Sequence, residues 1–427
     1  MKKQKQVIAA IIIFILIASA IFVAYTYQYD SDDINEEQIP DENETPEPVG
    51  NLTFRDAVNT FAFNLFKELS TEDTENIFIS PYSIFTALAM TYEGAMDDTA
   101  DEMASVLAVE QDNASFHEYM KNLYELLNEQ NEDYNISTAN ALWVKENLQL
   151  LETYLSVIRD YYGGEATEID YSNPEEAAEI INTWVESQTN SLIQDLISPD
   201  LIDPLTALIL TNAIYFKGVW EVQFDPVNTT ERDFEITSGN TVEVPTMILE
   251  NTEDVFNYTE TDDLQILELP YTGDDLSMMI LLPKDNDLST IIDSLDDDSF
   301  LEWKESMVER NVDIYFPKFT VETKYSLKSY LQQLGMNNPF TPSADFSGIT
   351  GRKDLYISEV IHKAFIDVNE EGTEAAAATA VIMVFTGADG GGSSRITFDC
   401  DHPFLYLIQH KQTGTILFMG SINNPVA

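Results

Sequence analysis

The apolar residues at the start of the globular part of the chain follow a helical period. They place one apolar face on a helix and so predict an amphipathic first helix; they are Phe54, Val58, Phe61, Ala62, Leu65, Phe66 and Leu69. Ser80 and Pro81 then supply an N-cap and a proline at the first helical position. A second, strongly apolar helix is therefore predicted to begin there and to end near Gly94.

Short runs rich in β-branched and aromatic residues dominate the second half of the chain and predict strands. They cover residues 206–216, 264–270, 276–283, 312–316, 396–398, 404–409 and 415–420. Helical patterns also occur, at residues 174–188, before these runs, and at residues 325–334, among them. Because helices come first and strands concentrate later, the chain is predicted to be α+β rather than a regular α/β repeat.

Residues 1–29 carry a pattern of their own. Three lysines precede an uncharged apolar run from Val7 to about Tyr25, which as a helix would span roughly 28 Å at ~1.5 Å per residue. The pattern predicts either a membrane anchor or a signal peptide with a cleavage site at residues 18–20. The apolar run continues past residue 20, which favours the anchor. Both alternatives put the rest of the chain outside the cell.

Residues 30–50 are predicted to be a linker, because they hold nine acidic residues, three prolines and no Lys or Arg. From residue 51 to residue 427 the pattern is globular, with no second linker and no internal repeat, which predicts one domain. Six Asn-X-Ser/Thr sequons fit an extracellular location; they are Asn43, Asn51, Asn113, Asn135, Asn228 and Asn257.

The charge balance excludes several classes of partner. The 427 residues include 75 acidic and 21 basic side chains, for a net charge of −54. Nucleic acids, anionic lipids and heparin-like polyanions are bound through clustered Lys and Arg, so none of them is expected as a partner. Residues 111–130 illustrate the shortage, since they contain a single basic residue, Lys121.

Cysteine and histidine usage argues against a metal site or a catalytic thiol. The lone cysteine, Cys400, lies between two aspartates, which disfavour a thiolate. The four histidines are scattered without metal-ligand spacing; they are His117, His362, His402 and His410. No metal, no cofactor and no catalytic site are therefore expected.

The stretch around residues 369–394 has conflicting local preferences. Ala375–Ala378 favour helix, yet Gly372 precedes them, β-branched residues follow, and residues 387–394 are rich in glycine. Taken alone, the stretch favours an ordinary helix followed by a surface loop. The same conflict is also what a segment that changes conformation would need.

Five further motifs occur in order and together resemble the serpin family over essentially all of residues 51–427. They lie at residues 76–84 with 87–90, 211–220, 362–364, 401–404 and 416–420. The resemblance implies the serpin fold, an α+β arrangement of three β-sheets and about nine helices with an exposed reactive-centre loop.

The resemblance also implies a function. Serpins are suicide inhibitors of serine proteases: the protease cuts the loop and forms an acyl-enzyme, and the cut loop then inserts into the main sheet and traps the protease. A serpin needs no catalytic residues of its own, so the chain is not expected to be an enzyme. The alternative left open is a non-inhibitory serpin that acts as a binding or carrier module.

The hinge of the loop can be examined by the alternation of an inserted strand, in which every second side chain faces the core. From Thr373 onward the inward set is uncharged, and it is small at its start: Thr373, Ala375, Ala377, Thr379, Val381 and Met383. This composition predicts an inhibitory hinge. The residues assigned to it are Glu370, Gly372, Thr373, Glu374, Ala375, Ala376, Ala377 and Ala378.

Two further groups follow from the resemblance. Ser80, Ser83, Asn212 and His362 match the "shutter", a set of polar residues beneath the sheet where it parts. Trp220 and Lys318, together with Glu370, match the "breach", where the loop enters the sheet. His362 taken alone reads as a satisfied core histidine, and the Lys318–Glu370 pair reads equally well as a minor surface ion pair.

The family's spacing from Gly372 puts the reactive bond at Thr386–Gly387, with Phe385 and Val384 as alternatives one and two residues away. The stretch after Thr386 is longer than usual, so these alternatives stay open. These residues favour a chymotrypsin-, elastase- or subtilisin-like target protease. Arg395 lies too far downstream for a trypsin-like target. The protein is expected to be a monomer.

Overall fold

The structure is a computed structural model that describes residues 52–71, 75–109, 113–128, 134–189, 191–202, 205–236, 239–373 and 395–426. All of them belong to one compact unit, residues 48–427. The predicted anchor or signal segment, the linker, hinge residues 374–378 and the reactive-bond alternatives lie outside the described residues. Among the described helices, none has the length and apolar character needed to cross a bilayer.

The helices begin and end close to where the sequence places them. Helix α1 (Leu52–Ser70) buries all seven residues of its apolar face, and every residue of α2 (Pro81–Tyr92) is buried. Ser80 caps α2 by accepting a hydrogen bond from the Ser83 backbone N–H at 3.3 Å. The other helices in the described ranges are α3 (Asp97–Val106), α4 (Asn113–Asn128), α5 (Glu152–Tyr162), α6 (Pro174–Gln188), α7 (Leu288–Ser294), α8 (Asp297–Ser306), α9 (Lys328–Gln333) and α10 (Ser347–Thr350).

Three β-sheets account for the strands. The strands are β1 (Ile77–Ile79), β2 (Tyr134–Lys145), β3 (Glu165–Ile169), β4 (Leu208–Val219), β5 (Thr230–Glu235), β6 (Thr241–Leu249), β7 (Phe256–Glu260), β8 (Leu264–Pro270), β9 (Leu276–Pro283), β10 (Val308–Arg310), β11 (Val312–Pro317), β12 (Phe319–Ser326), β13 (Ile357–Val368), β14 (Gly372–Thr373), β15 (Ile396–Asp399), β16 (Phe404–His410) and β17 (Thr415–Ile422). Their orders are β1-β17-β16-β9-β8-β7-β10, β15-β11-β6-β5 and β12-β13-β14-β4-β2-β3. The predicted α+β class with three sheets is thus confirmed.

One sequence assignment is wrong in part. The helical pattern at residues 325–334 includes the last two residues of β12, and the helix itself, α9, begins at Lys328. Ten strands were not assigned from the sequence: β1, β2, β3, β5, β6, β7, β10, β12, β13 and β14. In β12 and β13, charged side chains on the outward faces, such as Glu322 and Lys363, interrupt the apolar runs by which the seven assigned strands were found.

The six-stranded sheet is buried on one face and partly covered on the other. One face lies on the seven-stranded sheet, where Phe418 packs against Phe216 of β4 at 5.6 Å between ring centroids and Tyr406 packs against Phe319 of β12 at 5.4 Å. On the other face α6 covers a second apolar cluster that includes Ile361 of β13. Both faces of β4 are therefore covered along most of its length beside β13.

Candidate functional site at the parting of two strands

Strands β4 and β13 are paired at one end and separated at the other. They run parallel, and their pairing extends from Leu208–Ile357 to Ile214–Ala364. Beyond that point the short strand β14 lies between them: Thr373 pairs with Val368 of β13 and with Gly218 of β4. We call the paired part, residues 208–214 and 357–364, the closed end. The part where β14 separates the two strands is the open end, and β14 is the wedge.

A row of polar side chains crosses the closed end. Asn140 of β2, Asn212 of β4 and His362 of β13 stand in direct cross-strand register, and all three are buried. Asn212 connects its two neighbours: its Nδ2 donates to Asn140 Oδ1, and its Oδ1 accepts from His362 Nδ1. The row thus bridges the two strands at the last few residues of their pairing.

The N-terminal end of α2 adds further hydrogen bonds to this row. The Ser80 backbone N–H donates to His362 Nε2 at 3.1 Å, and Ser83 Oγ donates to Asn140 Oδ1 at 3.1 Å. Asn212 Nδ2 also donates to Ser83 Oγ. The structure therefore brings the four predicted shutter residues, Ser80, Ser83, Asn212 and His362, into one hydrogen-bonded group.

The hydrogen bonds define the state of His362. Because Nε2 accepts from the Ser80 N–H, the ring proton resides on Nδ1 and is donated to Asn212. Burial lowers the pKa of His362 to about 3, so the ring is neutral at physiological pH. Protonation of Nε2 would place its N–H against the Ser80 N–H, and the hydrogen bond between these two groups would be lost.

Sequence reasoning missed Asn140, although it completes this group. It lies within the strand-like run at residues 134–145, where apolar and aromatic residues surround it. A polar residue at an inward position of an apolar strand was the available signal, since a buried amide needs partners. The signal went unused because β2 was not assigned as a strand.

At the open end, the wedge is seated on two stacked aromatic rings. Thr373 is 1% exposed, and its Oγ1 is hydrogen-bonded to Tyr271 Oη at 2.7 Å. The Tyr271 ring stacks on Trp220 at 4.6 Å between centroids, and Trp220 Nε1 donates to the Asn369 carbonyl at 3.0 Å. Tyr271 was not singled out from the sequence, where it is an ordinary tyrosine after a predicted strand.

Gly372 is required by close packing at this end. A Cβ atom at this position would lie 2.1 Å from the Gly218 carbonyl oxygen and 2.8 Å from the Val219 Cα, both in β4. Its φ of +157° is also one that residues with a side chain rarely adopt. A side chain at position 372 would therefore push β14 out of the sheet.

An ion pair flanks the open end. Lys318 Nζ lies 2.7 Å from Glu370 Oε2, and Thr229 Oγ1 donates to Glu370 Oε1 at 2.8 Å. Burial raises the pKa of Glu370, but the hydrogen bonds from Lys318 and Thr229 outweigh it and the net pKa is lowered. The Glu370 side chain is mostly buried while that of Lys318 is about one-third exposed, so the pair is intermediate between a core and a surface contact.

Two arginines hold β15, the strand that follows residues 374–394. At its start, Arg395 Nε donates to Asp313 Oδ1 at 2.7 Å and Nη1 donates to the Thr252 carbonyl at 3.1 Å. At its end, Arg232 Nη1 and Nη2 donate to the two carboxylate oxygens of Asp399 at 2.8 and 2.7 Å. The Arg232 guanidinium also lies 4.4 Å from the centre of the Tyr315 ring.

Cys400 is buried at the end of β15. Burial raises the pKa of its thiol, and the neighbouring aspartates add to the effect. Such a thiol is not activated as a nucleophile. Within the described ranges, no three His, Cys, Asp or Glu side chains are grouped so that they would hold a metal ion.

Two sequons differ sharply in their surroundings. Asn228 is exposed in a short 3₁₀ turn, Pro226–Asn228. Asn257 lies in β7, and its Nδ2 donates to Glu268 Oε2 at 2.7 Å. Glu268 is itself buried and accepts further hydrogen bonds from Ser277 and Gln409. The amide of Asn257 is therefore committed to a buried carboxylate.

Comparison with known proteins places this geometry in context. A protein-family model described as "Serpin (serine protease inhibitor)" matches residues 56–425. An uncharacterized serpin-like protein of Thermococcus kodakarensis is 43% identical over 371 residues, which cover 86% of this chain and 85% of the relative.

Solved structures are similar over the same range. A highly specific serpin of the insect Tenebrio molitor has a TM-score of 0.77 at 34% identity, covering 88% of this chain and 99% of the other. Human thyroxine-binding globulin in complex with thyroxine has a TM-score of 0.79 at 29% identity, with the same coverage of each chain.

Proposed function

Because the chain belongs to the serpin family, we propose that it is a suicide-type inhibitor of serine proteases. Its reactive-centre segment, residues 374–394, would be cut by the protease, and the acyl-enzyme formed at the cut would be trapped as the segment inserts between β4 and β13. The inserting segment belongs to this chain, whereas the nucleophile that cuts it and forms the acyl-enzyme belongs to the protease.

The observation that carries this proposal is the position of Thr373 as a wedge between the two strands. Thr373 is level with Val368 and Gly218, and the same register continued along the sheet would bring Thr379 level with His362 and Asn212. A threonine hydroxyl would then enter the polar row as the two strands separate. The inserted segment would thereby replace the hydrogen bond between His362 and Asn212.

The side chains of the segment support the same function. Each inward position from Thr373 to Met383 is uncharged, so no buried, unpaired charge opposes insertion. We propose Glu370, Gly372, Thr373 and the residues up to Ala378 as the hinge, and Trp220 and Lys318 as the breach. Ser80, Ser83, Asn212 and His362, with Asn140, are proposed as the shutter.

A protease panel tests the proposal. We expect incubation with chymotrypsin-, elastase- and subtilisin-like proteases to give a covalent complex that survives SDS, together with a released C-terminal fragment of about 40 residues. Mass spectrometry of the fragment identifies the reactive bond, proposed as Thr386–Gly387 with Phe385 and Val384 as the alternative residues before the cut. Cleavage by every protease without any complex would contradict the inhibitory function.

Thr373→Arg is the sharpest variant for this test. A buried arginine at this position has no partner, so insertion should stall and the protein should be cut as a substrate, with loss of nearly all complex. Glu374→Arg is the matched control, because strand alternation puts the same charge on the solvent side. Equal complex formation by the two variants would argue against insertion through this hinge.

The alternative, a non-inhibitory binding or carrier serpin, is favoured by the likeness to thyroxine-binding globulin, which was solved with bound thyroxine. The two functions differ in what cutting the loop does to stability. An inhibitor gains substantially in thermal stability when its cut loop inserts, whereas a non-inhibitory serpin gains little. Thermal unfolding before and after cleavage therefore distinguishes them.

The N-terminal pattern supports a location for this activity. We propose that residues 1–29 anchor the chain in a membrane or are cleaved as a signal peptide, that residues 30–50 form a tether, and that residues 51–427 act outside the cell as a monomeric serpin domain. The strong net negative charge of −54 supports action without a polyanionic activator. Membrane fractionation with an N-terminal sequence of the mature protein tests the anchor.

A further inference from the structure

A pocket of about 210 Å³ lies where the end of helix α1 meets helix α7 and strands β1 and β17. The proposed shutter and breach residues all lie elsewhere in the fold. Cavities of about 150 Å³ hold a molecule of the size of benzene, so this pocket has room for a ligand of that size or slightly larger.

The lining of the pocket includes a buried acceptor without a donor. Asn286 comes between β9 and α7, in a left-handed backbone conformation with a φ of +61°. Its Oδ1 is buried, and within the described ranges no group donates a hydrogen bond to it. Buried polar atoms are nearly always paired in folded proteins, so an unpaired one in the lining of a pocket indicates a missing donor.

A second unpaired polar group comes from the seven-stranded sheet. Ser421 of β17 is 2% exposed, and its backbone is paired with Ile77 of β1. Its side chain belongs to the lining of the pocket, and its hydroxyl forms no hydrogen bond with any residue that the structure describes. Two polar groups from different elements therefore lack partners at the same pocket, and a polar ligand would supply them.

The third polar group is the carboxylate of Asp287, which caps α7. Its Oδ1 accepts hydrogen bonds from Ser289 Oγ at 2.7 Å and from the Ser289 backbone N–H at 2.9 Å. These hydrogen bonds lower the pKa of Asp287, so the group is charged at neutral pH. The surrounding sequence has the same sign of charge, since residues 285–298 contain six aspartates and no Lys or Arg.

Apolar side chains form another part of the lining: Ile77, Leu288, Ile292 and Pro403. A primary ammonium has three N–H donors and no acceptor, so it suits an amide oxygen, a hydroxyl and a carboxylate together. The apolar side chains suit the hydrocarbon stem that carries such a group. An anionic ligand would instead be repelled by the aspartates.

We propose that this pocket binds a primary ammonium group carried on an apolar stem of about four to six carbon atoms. The Asn286 amide oxygen, the Ser421 hydroxyl and the Asp287 carboxylate would accept its hydrogen bonds. Free small amines carry such a group, and so do the lysine side chains of other proteins. The site shares no residue with β4 or β13, so the inference does not depend on the inhibitory function.

The test titrates the full chain with butylammonium at pH 7 and constant ionic strength, and follows binding by calorimetry and thermal unfolding. For a ligand of this size we expect one site with a dissociation constant of about 0.1–10 mM. The control ligand is 1-butanol, which has the same number of non-hydrogen atoms and no charge, and it should bind about tenfold more weakly or less.

A second probe, Nα-acetyl-lysine methylamide, distinguishes the two sources of the ammonium group. Binding as tight as that of butylammonium supports a site for the lysine side chain of a protein. Binding about tenfold weaker supports a site for free amines, because the peptide groups on the stem would then not fit at the mouth of the pocket.

Two variants, Asn286→Gly and Ser421→Ala, each remove one polar group of the site. Glycine keeps the left-handed backbone at position 286, and each variant should weaken butylammonium binding by about tenfold. Asn251→Gly is the matched control, since Asn251 is exposed between β6 and β7 with a φ of +55°. The inference is wrong if butylammonium does not bind, as for a pocket that holds only water, or if 1-butanol binds equally well. It is also wrong if both variants bind butylammonium as tightly as the control does.

Discussion

The two ends of the β4–β13 contact are built from different chemistry. The closed end is held by polar groups, with Asn140, Asn212 and His362 hydrogen-bonded in a row beneath the strands. The open end is held by aromatic stacking and one ion pair, with Thr373 seated on Tyr271. Hydrogen bonds are directional, so those of a network are lost together when the strands that carry them separate. Stacked aromatic rings can pack against an additional strand without losing their own contacts.

The difference indicates at which end separation of β4 and β13 costs more free energy. A strand that extends from Thr373 at the open end passes the stacked rings of Tyr271 and Trp220, in a region where β4 and β13 are not paired with each other. At the closed end it must exchange one set of hydrogen bonds for another. Three experiments, taken in order of expected effect, test this contrast.

The largest effect is expected from removing the centre of the polar row. Asn212→Ala leaves the His362 Nδ1–H without its acceptor and deprives Asn140 and Ser83 of a donor, which should lower the free energy of unfolding by about 3–5 kcal/mol. Denaturant unfolding measures the change. Thr320→Ala, which removes an exposed hydroxyl from β12 of the same sheet, is the control and should change it by less than about 0.5 kcal/mol. Equal effects of the two variants would contradict a special role for the row.

A smaller effect, dependent on pH, is expected from His362. The folded pKa of about 3 lies below the ordinary value of about 6.5, so below pH 6.5 the unfolded chain takes up a proton that the folded protein does not. The contribution of His362 to stability should therefore fall as pH drops, by about 3 kcal/mol between pH 6.5 and pH 4.

The measurement is the difference in unfolding free energy between wild type and His362→Gln across this range, which removes the contribution of the many carboxylates. The advantage of the wild type should shrink steadily below pH 6.5 and be constant above it. A difference that does not change with pH would mean that the ring is not held neutral.

The smallest effect is expected at the ion pair of the open end. Lys318→Met removes the partner of Glu370, and because Lys318 is about one-third exposed, the loss should be about 1 kcal/mol or less and should shrink further in high salt. Thermal unfolding at low and high salt measures it. A loss as large as that of Asn212→Ala would remove the contrast between the two ends.

The sequence predicted the closed end better than the open end. Ser80, Ser83, Asn212 and His362 were singled out through the resemblance to serpins, and the structure brings them together. Asn140 was missed because β2 lacks a clean alternation, and Tyr271 because nothing in a single tyrosine indicates stacking on Trp220. Thr373 already lies between β4 and β13. This position depends on packing among three strands that are distant in sequence, so a local sequence pattern does not predict it.

The hydrogen bond from Asn257 to the buried carboxylate of Glu268 has a consequence for biosynthesis. An oligosaccharide attached to that amide while the chain is still emerging would have to occupy the space in which β7 packs beside β8. A host that modifies sequons would therefore produce a misfolded fraction unless this one escapes, while Asn228 in its exposed turn accepts a glycan freely. The occupancy of Asn257 is therefore a point to check when this chain is produced in such a host.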